Sequence, residues 1–332
     1  MEILVTLPDS LRHQLVPSDV ERRLNALDTA TWNDSDEQFT PAELREALAG
    51  VDVCVTGWGT PRLTESILAD ADALELLAHV GGSVGAFASD ALYERDVTVC
   101  SAIETMAPFV AEGILAHLLA ALRDLQGFDR DLRASEWTND PDRCGSLFDR
   151  TVGFVGLGTV GAALLDLLAP FDVAVRVYDP YIDDDRLSDH PNARRMDLDE
   201  VLRAADAVSV HAAKTPETIG LLDGERLSLL RDGAVVVNAA RGAIVDEDAL
   251  VAELEFGRIR AALDVFEREP LPADSPLRSL EAVSLTPHVM GAPARRHLAE
   301  TVVGEVERFA AGRPLRHTIS RERFETMTDD SL

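Results

Sequence analysis

Three polar side chains stand at the ends of apolar segments in the second half of the chain. They are Arg241, Asp264 and His288, and each closes or follows a run with the length and composition of a buried strand. Ligands of open parallel sheets bind beyond the carboxyl ends of the strands. We therefore expect these side chains to converge, and Glu269, five residues after Asp264, can reach the same place from its loop.

These residue types suit hydride transfer at a carbonyl carbon. His288, with a reference pKa of about 6.5, can donate a proton to the carbonyl oxygen and remove it in the reverse reaction. Glu269 can orient the imidazole and favour its charged form. Arg241 offers a two-pronged donor for a carboxylate or the carbonyl oxygen. Taken singly, each residue also has a purely structural interpretation, and only their joint placement favours catalysis.

A glycine motif upstream predicts a dinucleotide site. The apolar run Thr151–Val155 is typical of a buried strand, and Ala162–Leu168 of the helix that follows it. Between them, Gly156 allows a tight turn, Gly158 lets a pyrophosphate approach the backbone, and Gly161 lets helix and strand pack closely. The helix N-terminus offers N–H groups and a positive dipole end to the phosphates. A glycine-rich turn of this kind can also serve packing alone.

An acid at the end of the next strand strengthens the dinucleotide interpretation. The strand predicted over Val173–Tyr178 ends at Asp179, eighteen residues after Gly161. That is the place of an acid that accepts hydrogen bonds from a ribose hydroxyl. Asp179 would repel a 2′-phosphate and is followed by Pro180, so NAD is favoured over NADP as the cofactor.

Strand and helix alternate along the whole chain, which predicts parallel α/β architecture. The pattern predicts further strands over Glu2–Leu7, Val51–Thr56, Leu74–Val80, Val97–Cys100, Ala207–Val210, Ala234–Asn238, Ile259–Asp264 and Val283–Thr286. It predicts further helices over Val20–Leu27, Pro41–Leu48, Glu104–Arg123, Leu198–Arg203, Gly224–Leu230, Asp246–Glu255 and Pro293–Arg308. Gly127–Asp149 is interpreted as a polar connection, and Gly312–Leu332 as a tail that packs back on the first lobe.

Two features of the first half remain open at this stage. The helix predicted over Glu104–Arg123 is apolar all round, so it should be buried on several sides, and His117 within it is interpreted as a satisfied core or interface histidine. Trp58 lies between Gly57 and Gly59 after a predicted strand. It either packs under its own loop or lines a substrate pocket opposite Arg241.

Composition bounds the class of protein. The 332 residues favour two domains, and the 46% of hydrophobic residues describe a soluble globular chain. No segment is expected to span a membrane, no signal-like start is seen, and three dispersed cysteines suit a cytoplasmic location. The charge is extreme, with 59 acids against 31 bases, a net charge of −28 and Lys214 as the only lysine. Nucleic-acid and membrane partners are therefore not expected, and adaptation to high salt is a hypothesis for the acidity.

With these motifs in place, the chain resembles the D-isomer-specific 2-hydroxyacid dehydrogenase family. The matching pieces are GLGTVG (156–161), YDP (178–180), HAAKTPETIGLL (211–222), NAARGAIVDEDAL (238–250), LDVFEREPLP (263–272) and TPH (286–288). The match is continuous over about 152–291 and weaker before Glu104. Three segments depart from the usual family pattern, so the identity of the substrate stays open. They are Ala213-Lys214, Met290–Pro293 and His79–Gly85.

The resemblance implies roles for individual residues. Arg241 would bind substrate, Glu269 would partner the histidine, and His288 would be the acid/base. Gly81-Gly82-Ser83 would receive the substrate carboxylate through its backbone, and no metal is expected. Cofactor contacts are implied at Gly156, Gly158, Thr159, Val160, Gly161, Asp179, Pro180, His211, Ala212, Ala239, Ala240, Arg241, Asp264, His288 and Gly291.

The expected fold is α/β, with two parallel-sheet lobes. A Rossmann-type NAD-binding domain (104–291) would be inserted into a smaller flavodoxin-like substrate domain (1–103 plus 292–332), with a cleft between them. The expected function is the NAD-dependent interconversion of a 2-oxo acid and a D-2-hydroxy acid by a homodimer. Glutamate at position 269 argues against the formate-oxidising relatives, which carry glutamine there. The alternative is a non-catalytic NAD-sensing interaction protein on the same fold, although sensing would not require Arg241, Glu269 and His288 together.

Overall fold

The chain forms two compact units in the computed structural model, which describes residues 1–330 and 332. The first unit comprises Met1–Met106 and Ala292–Leu332, and the second comprises Ala107–Gly291. The second is therefore inserted in the chain between the two pieces of the first. The domain boundaries predicted from the sequence stay a prediction, because a compact unit is not by itself a domain that folds alone.

The first unit contains a five-stranded parallel sheet. Its strands are β1 (Glu2–Val5), β2 (Thr29–Trp32), β3 (Val53–Thr56), β4 (Leu76–His79) and β5 (Thr98–Ser101). They lie in the order β2-β1-β3-β4-β5, which is the flavodoxin-like order. β3 and β4 are buried on both faces, including the polar residues Thr56 and His79 at their ends. The edge strand β2 is absent from the sequence-based expectation.

Helices cover this sheet. They are α1 (Asp9–Leu15), α2 (Ser18–Asn25), α3 (Pro41–Ala47), α4 (Asp90–Glu94) and, after the second unit, α11 (Arg295–Ala310) and α12 (Arg321–Glu325). The start predicted for α3 is confirmed, because Thr40 and Glu43 form a reciprocal capping box there. α1 lies in the segment up to about Asp19, which the sequence left open as a loop or the start of a helix, and α4 was not among the predicted helices.

The C-terminal segment packs on the first unit, as predicted. Thr318 bridges to Cys100 of β5, and Ile319 lies in the apolar core. The buried carboxylate of Glu305 accepts hydrogen bonds from the N–H groups of Arg316 and His317, at 2.6 and 3.2 Å. The short helix α12 lies in this tail and was not among the predicted helices. Position 331 of that predicted tail lies outside the described residues.

Helix α5 (Ile103–Leu122) begins in the first unit and continues in the second. Among residues 1–330 and 332, it is the one helix long and apolar enough to cross a membrane by length and composition. Core helices meet the same criterion of length and composition, so this single helix does not contradict the expectation that no segment spans a membrane. Only 39% of its apolar window is buried, so burial on several sides is not reached within one chain.

His117 on α5 differs from the satisfied core histidine that was expected. Its Nδ1 atom is buried and has no hydrogen-bond partner among the described residues. Burial lowers the pKa of this imidazole, and the nearby charge of Asp264 opposes that effect.

The second unit contains a seven-stranded parallel sheet. Its strands are β6 (Thr151–Val155), β7 (Ala174–Tyr178), β8 (Ala193–Arg195), β9 (Ala207–Val210), β10 (Val235–Asn238), β11 (Arg260–Leu263) and β12 (Val283–Leu285). They lie in the order β12-β11-β10-β9-β6-β7-β8. From β8 inwards this is the Rossmann order 3-2-1-4-5-6 with one further strand. The predicted two-sheet α/β fold is confirmed.

The helices of the second unit are, after α5, α6 (Leu125–Arg133), α7 (Thr159–Leu168), α8 (Leu198–Ala204), α9 (Gly224–Ser228) and α10 (Glu247–Glu255). α6 lies near and partly within the region interpreted as a polar connection, so that interpretation was incomplete. α7 starts three residues earlier than predicted, which places Thr159, Val160 and Gly161 in its first turn. The short strand β8 was also missed.

Candidate active site

The predicted glycine motif forms the turn between β6 and α7. Gly156 has a left-handed backbone (φ +91°), and a Cβ there would lie 2.7 Å from the Ala212 nitrogen. A Cβ on Gly158 would meet nothing within 4 Å. Gly158 is also the N-cap of α7, whose ten residues begin with N–H groups that have no partner within the helix. The turn therefore combines open space with the donors that a phosphate requires.

Asp179 lies directly after β7, beside this turn. One carboxylate oxygen accepts a hydrogen bond from the Leu157 N–H at 2.7 Å, and the other accepts one from the Tyr181 N–H at 2.9 Å. The sequence places Asp179 by its distance along the chain, and the structure adds a direct bond from the acid to the glycine turn. A carboxylate has further lone pairs, so these two bonds leave it able to accept from a ribose hydroxyl.

His211 and Ala212 follow β9 and close the other side of the turn. The His211 ring packs on Phe154 with 4.7 Å between ring centroids, and a Cβ on Gly161 would lie 3.3 Å from the imidazole. Both ring nitrogens of His211 are buried without a hydrogen-bond partner among the described residues. Burial lowers the pKa of His211 to about 3, so the ring is neutral.

His288 and Glu269 form the central pair of the site. The Nδ1 atom of His288 lies 2.8 Å from Oε2 of Glu269, and the Phe266 N–H donates to Oε1 at 3.1 Å. Both side chains are partly exposed. His288 has a left-handed backbone (φ +52°), a strained conformation for a residue with a side chain and one that is concentrated at functional sites.

The electrostatics of Glu269 favour its ionised form. Burial acts to raise the pKa of this carboxyl. The hydrogen bonds from His288 and the Phe266 N–H act in the opposite direction, and the charges of His288 and Arg241 add to them. The pKa therefore lies below its usual value of 4.5. Glu269 is a carboxylate at neutral pH, as a partner that orients a histidine must be.

Asp264 shapes the backbone that carries His288. Its Oδ1 accepts hydrogen bonds from the Thr286 hydroxyl at 2.6 Å and the Val289 N–H at 3.0 Å, and its Oδ2 accepts one from the Met290 N–H at 3.1 Å. The Asp264 carbonyl also accepts from the His288 N–H at 2.8 Å. Asp264 is almost fully buried. Sequence reasoning placed it near the cofactor but missed this bracing role, for which the polar pair Asp264 and Thr286 at two strand ends was the available signal.

Arg241 stands in a loop held by its neighbours. The Asn238 side chain donates to the Arg241 carbonyl at 2.9 Å and accepts from the Ala240 N–H at 3.0 Å. A Cβ on Gly242 would lie 1.8 Å from the Phe266 carbonyl carbon, so this loop touches the segment that leads to Glu269. Asn238 and Gly242 were quoted in the sequence motif without a role, and both position Arg241.

The remaining predicted residues lie in the first unit. Gly81, Gly82 and Ser83 follow β4, and Trp58 follows the neighbouring strand β3. The Trp58 side chain is 37% exposed, and the Arg295 guanidinium lies 6.0 Å from its ring centroid. Its carbonyl accepts a hydrogen bond from Gln38 at 2.6 Å. Packing and pocket lining therefore both remain compatible with Trp58.

The structure brings one set of predicted residues together within the second unit. These are the glycine turn, Asp179, His211 and Ala212 on one side of the sheet edge, and Ala239, Ala240, Arg241, Asp264, Glu269, His288 and Gly291 at the ends of β10, β11 and β12 or in the loops that follow them. Among residues 1–330 and 332, no cluster of three or more histidine, cysteine, aspartate or glutamate side chains could hold a metal ion.

Comparison with known proteins adds a family. Residues 115–290 match the model described as D-isomer specific 2-hydroxyacid dehydrogenase, NAD binding domain. The chain is 40% identical over 246 residues to D-3-phosphoglycerate dehydrogenase of Mycobacterium tuberculosis, which is 74% of this chain and 46% of that protein. The chain thus spans about half the length of the curated relatives it matches.

Two solved structures are similar over nearly the whole chain. A D-isomer specific 2-hydroxyacid dehydrogenase from Xanthobacter autotrophicus, in complex with NADPH and MES, is 28% identical with a TM-score of 0.74, covering 97% of this chain and 99% of that one. NAD-dependent formate dehydrogenase from Staphylococcus aureus, in complex with NAD, is 26% identical with a TM-score of 0.71, covering 96% and 99%. NAD, the cofactor predicted from the glycine motif, is confirmed at the level of the family.

Proposed function

The chain belongs to the D-isomer specific 2-hydroxyacid dehydrogenase family, and from that premise we propose that it interconverts a 2-oxo acid and a D-2-hydroxy acid with NAD(H). The observation that carries the proposal is the 2.8 Å contact between His288 and Glu269. It joins the loops that follow β11 and β12, and Arg241 follows the neighbouring strand β10. The proposed acid/base pair and the arginine that would bind substrate thus lie at the same edge of the sheet as the glycine turn.

The proton in this mechanism moves at one atom of His288. Nδ1 is engaged with Glu269, so Nε2 is the ring nitrogen left to donate a proton to the substrate oxygen. Glu269, ionised at neutral pH, fixes the orientation of the ring through this contact. During oxidation Nε2 accepts the same proton from the hydroxyl group. The hydride itself is supplied or taken up by the nicotinamide when NAD is bound.

Arg241 supplies the positive charge for the substrate. Its planar guanidinium can hold a carboxylate, the carbonyl oxygen, or both through two parallel N–H donors. Asn238 and Gly242 hold the loop that carries it. A fixed cation beside the reacting carbon both orients the 2-oxo acid and stabilises charge that develops on its oxygen.

The residues of the glycine turn fit a dinucleotide. Gly158 faces open space, and the neutral His211 ring beside the turn has buried nitrogens without a partner in the described part of the chain. Asp179, braced by two backbone N–H groups, would accept from ribose hydroxyls and repel a 2′-phosphate. We therefore propose NAD in preference to NADP for this chain, although its relatives include a structure that holds NADPH.

The substrate carboxylate is proposed to bind the loop after β4. In the described part of the chain, the N–H groups of Gly82, Ser83 and Val84 donate to no protein acceptor. Successive unpaired N–H groups form a concave anion-binding backbone. The relative's name suggests the oxo acid derived from D-3-phosphoglycerate as one substrate to test.

A cytoplasmic homodimer is the proposed assembly. Among the exposed large apolar side chains of the second unit, Leu125, Leu132, Trp137 and Phe148 lie between α5 and β6. Helix α5 is also incompletely buried, and a contact with a second chain would bury more of its apolar surface. We propose that a second copy of this chain covers this apolar surface. Size-exclusion chromatography and light scattering measure the mass of the assembly in solution. A monomeric mass at micromolar concentration would contradict it.

Turnover with a panel of 2-oxo acids and NADH tests the activity. His288→Gln should lower kcat by about 10²–10⁴-fold while NADH binding persists, since it removes the acid/base. His190→Gln is the matched control, because His190 also pairs with a carboxylate in the same unit, at 3.5 Å from Asp166, but lies outside the site. NADH binding without turnover of any 2-oxo acid would instead favour a non-catalytic NAD sensor.

A further inference from the structure

A tyrosine and a glutamate join the two loops on either side of the glycine turn. The Tyr181 hydroxyl donates a hydrogen bond to the Glu217 carboxylate at 2.5 Å. Tyr181 lies in the loop after β7, and Glu217 lies in the loop after β9. We name this contact the Tyr181–Glu217 clasp. It was not among the residues expected to act from the sequence.

The sheet order places the clasp at the nucleotide site. β7 and β9 are the two neighbours of β6, and β6 leads directly into the glycine turn. A bond between the loops that follow those two neighbours therefore spans the end of β6. In such sheets a nucleotide binds beyond the carboxyl ends of the strands, at this point of the topology.

The clasp is anchored on both sides. On one side the Tyr181 N–H donates to Asp179, the acid expected at the ribose. On the other, the Thr218 hydroxyl accepts a hydrogen bond from the Thr215 N–H at 2.9 Å and donates to the Ala213 carbonyl at 2.5 Å. Glu217 is thus carried on a turn closed by its neighbour's side chain, and the phenol holds its carboxylate in one orientation.

Two carboxylates consequently lie close to one phenol. The hydrogen bond to Glu217 is the largest cause that raises the pKa of Tyr181; burial follows, and the charges of Glu217 and Asp179 add to both. NADP carries a 2′-phosphate with up to two negative charges at the ribose that Asp179 would contact. A second fixed negative charge at this edge repels that phosphate and leaves the uncharged 2′-hydroxyl of NAD unaffected.

We propose that Glu217 is a second specificity-determining acid, which acts with Asp179 to exclude NADP(H), and that Tyr181 is its positioning residue. The inference rests on the proposed NAD-dependent function and deepens it. Discrimination by repulsion is effective because it weakens the wrong ligand without requiring a new contact to the right one.

Two variants separate charge from position. Glu217→Gln keeps an acceptor for the phenol but removes the charge, whereas Tyr181→Phe keeps the ring and the charge but releases the carboxylate. Dissociation constants for NADH and NADPH are measured by calorimetry, together with kcat and KM for each nucleotide. The preference for NADH is the dissociation constant of NADPH divided by that of NADH. Glu217→Gln should lower this ratio by about tenfold, mainly through tighter NADPH binding, with kcat for NADH unchanged. Tyr181→Phe should lower the same ratio by about threefold.

Glu225→Gln is the control, since Glu225 is an exposed acid on α9 away from the clasp and should leave the ratio unchanged. If Glu217→Gln had the same ratio of NADPH to NADH dissociation constants as the wild type, the inference would be overturned. A wild-type preference for NADPH would also overturn it, and would point to attraction by Lys214 in the same loop. The calorimetric dissociation constants need no turnover, so the binding ratio of each variant can be measured even if no 2-oxo acid is turned over, a result that would refute the proposed activity alone. Failure of both nucleotides to bind would refute both.

Discussion

Two glycine-rich loops follow parallel strands in this protein, and both are expected to bind anions. The Gly156 loop (Gly156–Gly161) follows β6 in the second unit, and the Gly81 loop (Gly81–Gly85) follows β4 in the first. Their glycines serve different purposes. In the Gly156 loop they create a turn and leave space for a ligand, whereas in the Gly81 loop they make room for other parts of the protein.

The conformation of the Gly156 loop follows from the spacing of residues within its own motif. Gly156 needs its left-handed backbone, and Gly158 faces open space. The neighbours that crowd Gly156 and Gly161 belong to the adjacent strand end at His211 and Ala212. Because a tight turn and a helix start at fixed offsets define the motif, spacing alone was sufficient to identify it.

The conformation of the Gly81 loop depends on contacts with other parts of the first unit. None of its glycines has a left-handed backbone. A Cβ on Gly81 would lie 2.3 Å from the His79 Nε2 atom, one on Gly82 2.3 Å from the Met106 methyl group, and one on Gly85 2.1 Å from the Thr328 carbonyl oxygen. Ser83 also donates to that carbonyl at 2.9 Å. The C-terminal segment thus holds a loop more than 240 positions earlier, since 328 − 83 is 245.

The largest expected effect comes from filling the open space of the Gly156 loop. Gly158→Ala should weaken NADH binding by about 100-fold, or about 2.8 kcal/mol, because the methyl group occupies the space of the phosphates. The free energy of unfolding should not fall, since no protein atom lies within 4 Å of the new Cβ. Calorimetric NADH titration and thermal melting check this, with Gly304→Ala, another open glycine, as control. If the NADH affinity were unchanged, the glycines of the Gly156 loop would not serve to leave space for a ligand, and this difference between the two loops would be contradicted.

The reverse pattern is expected for the Gly81 loop. Gly85→Ala should lower the free energy of unfolding by about 2 kcal/mol, because its Cβ and the Thr328 backbone cannot both stay in place. The KM for the 2-oxo acid should rise as the loop shifts, while NADH affinity stays the same. Chemical denaturation and steady-state kinetics measure the two effects. Thr326→Ala serves as control, since that exposed hydroxyl donates to the nearby Arg323 carbonyl. A variant of wild-type stability would show that the C-terminal segment does not brace the loop.

A smaller effect should come from Trp58, which lies at the end of the strand beside that of the Gly81 loop. If it lines the substrate pocket, Trp58→Ala should change the ranking of 2-oxo acids by several-fold, as apolar pocket contacts differ by about 1–3 kcal/mol. NADH affinity should be unaffected. Arg295→Gln removes the cation beside the ring and controls for packing. A uniform loss that follows lowered stability would make Trp58 a packing residue.

The smallest expected effect is that of salt, and it should act on both loops alike. The net charge of −28 repels anionic ligands and the protein's own surface. Raising KCl from low to molar concentration should raise Tm by on the order of 5 °C and should not weaken NADH binding. A flat or falling Tm would contradict salt adaptation. A salt response confined to one ligand would show that local charge, and not the net charge, dominates at that loop.

Local pattern was sufficient for the buried strands, whereas two of the four edge strands were missed. Thr151–Val155 and Ala207–Val210 were predicted with the bounds that the structure has, because their apolar sequences must be buried on both faces. The edge strands β2 and β8 were missed, since Thr29–Trp32 alternates half-exposed residues and Ala193–Arg195 has only three. Such strands form chiefly because a neighbouring strand offers its hydrogen bonds.

The same division holds for the candidate site. The types and spacing of Arg241, Glu269 and His288 are properties of the sequence, and strand ends in a parallel sheet bring them to one edge. The bracing of His288 by Asp264 and the Tyr181–Glu217 clasp depend on atoms from different loops meeting within about 3 Å. Sequence periodicity locates strands and turns, but it carries no distance between residues far apart in the chain. The residue types of the candidate site were therefore determined by the sequence itself, and the contacts that position them were decided only by the tertiary structure.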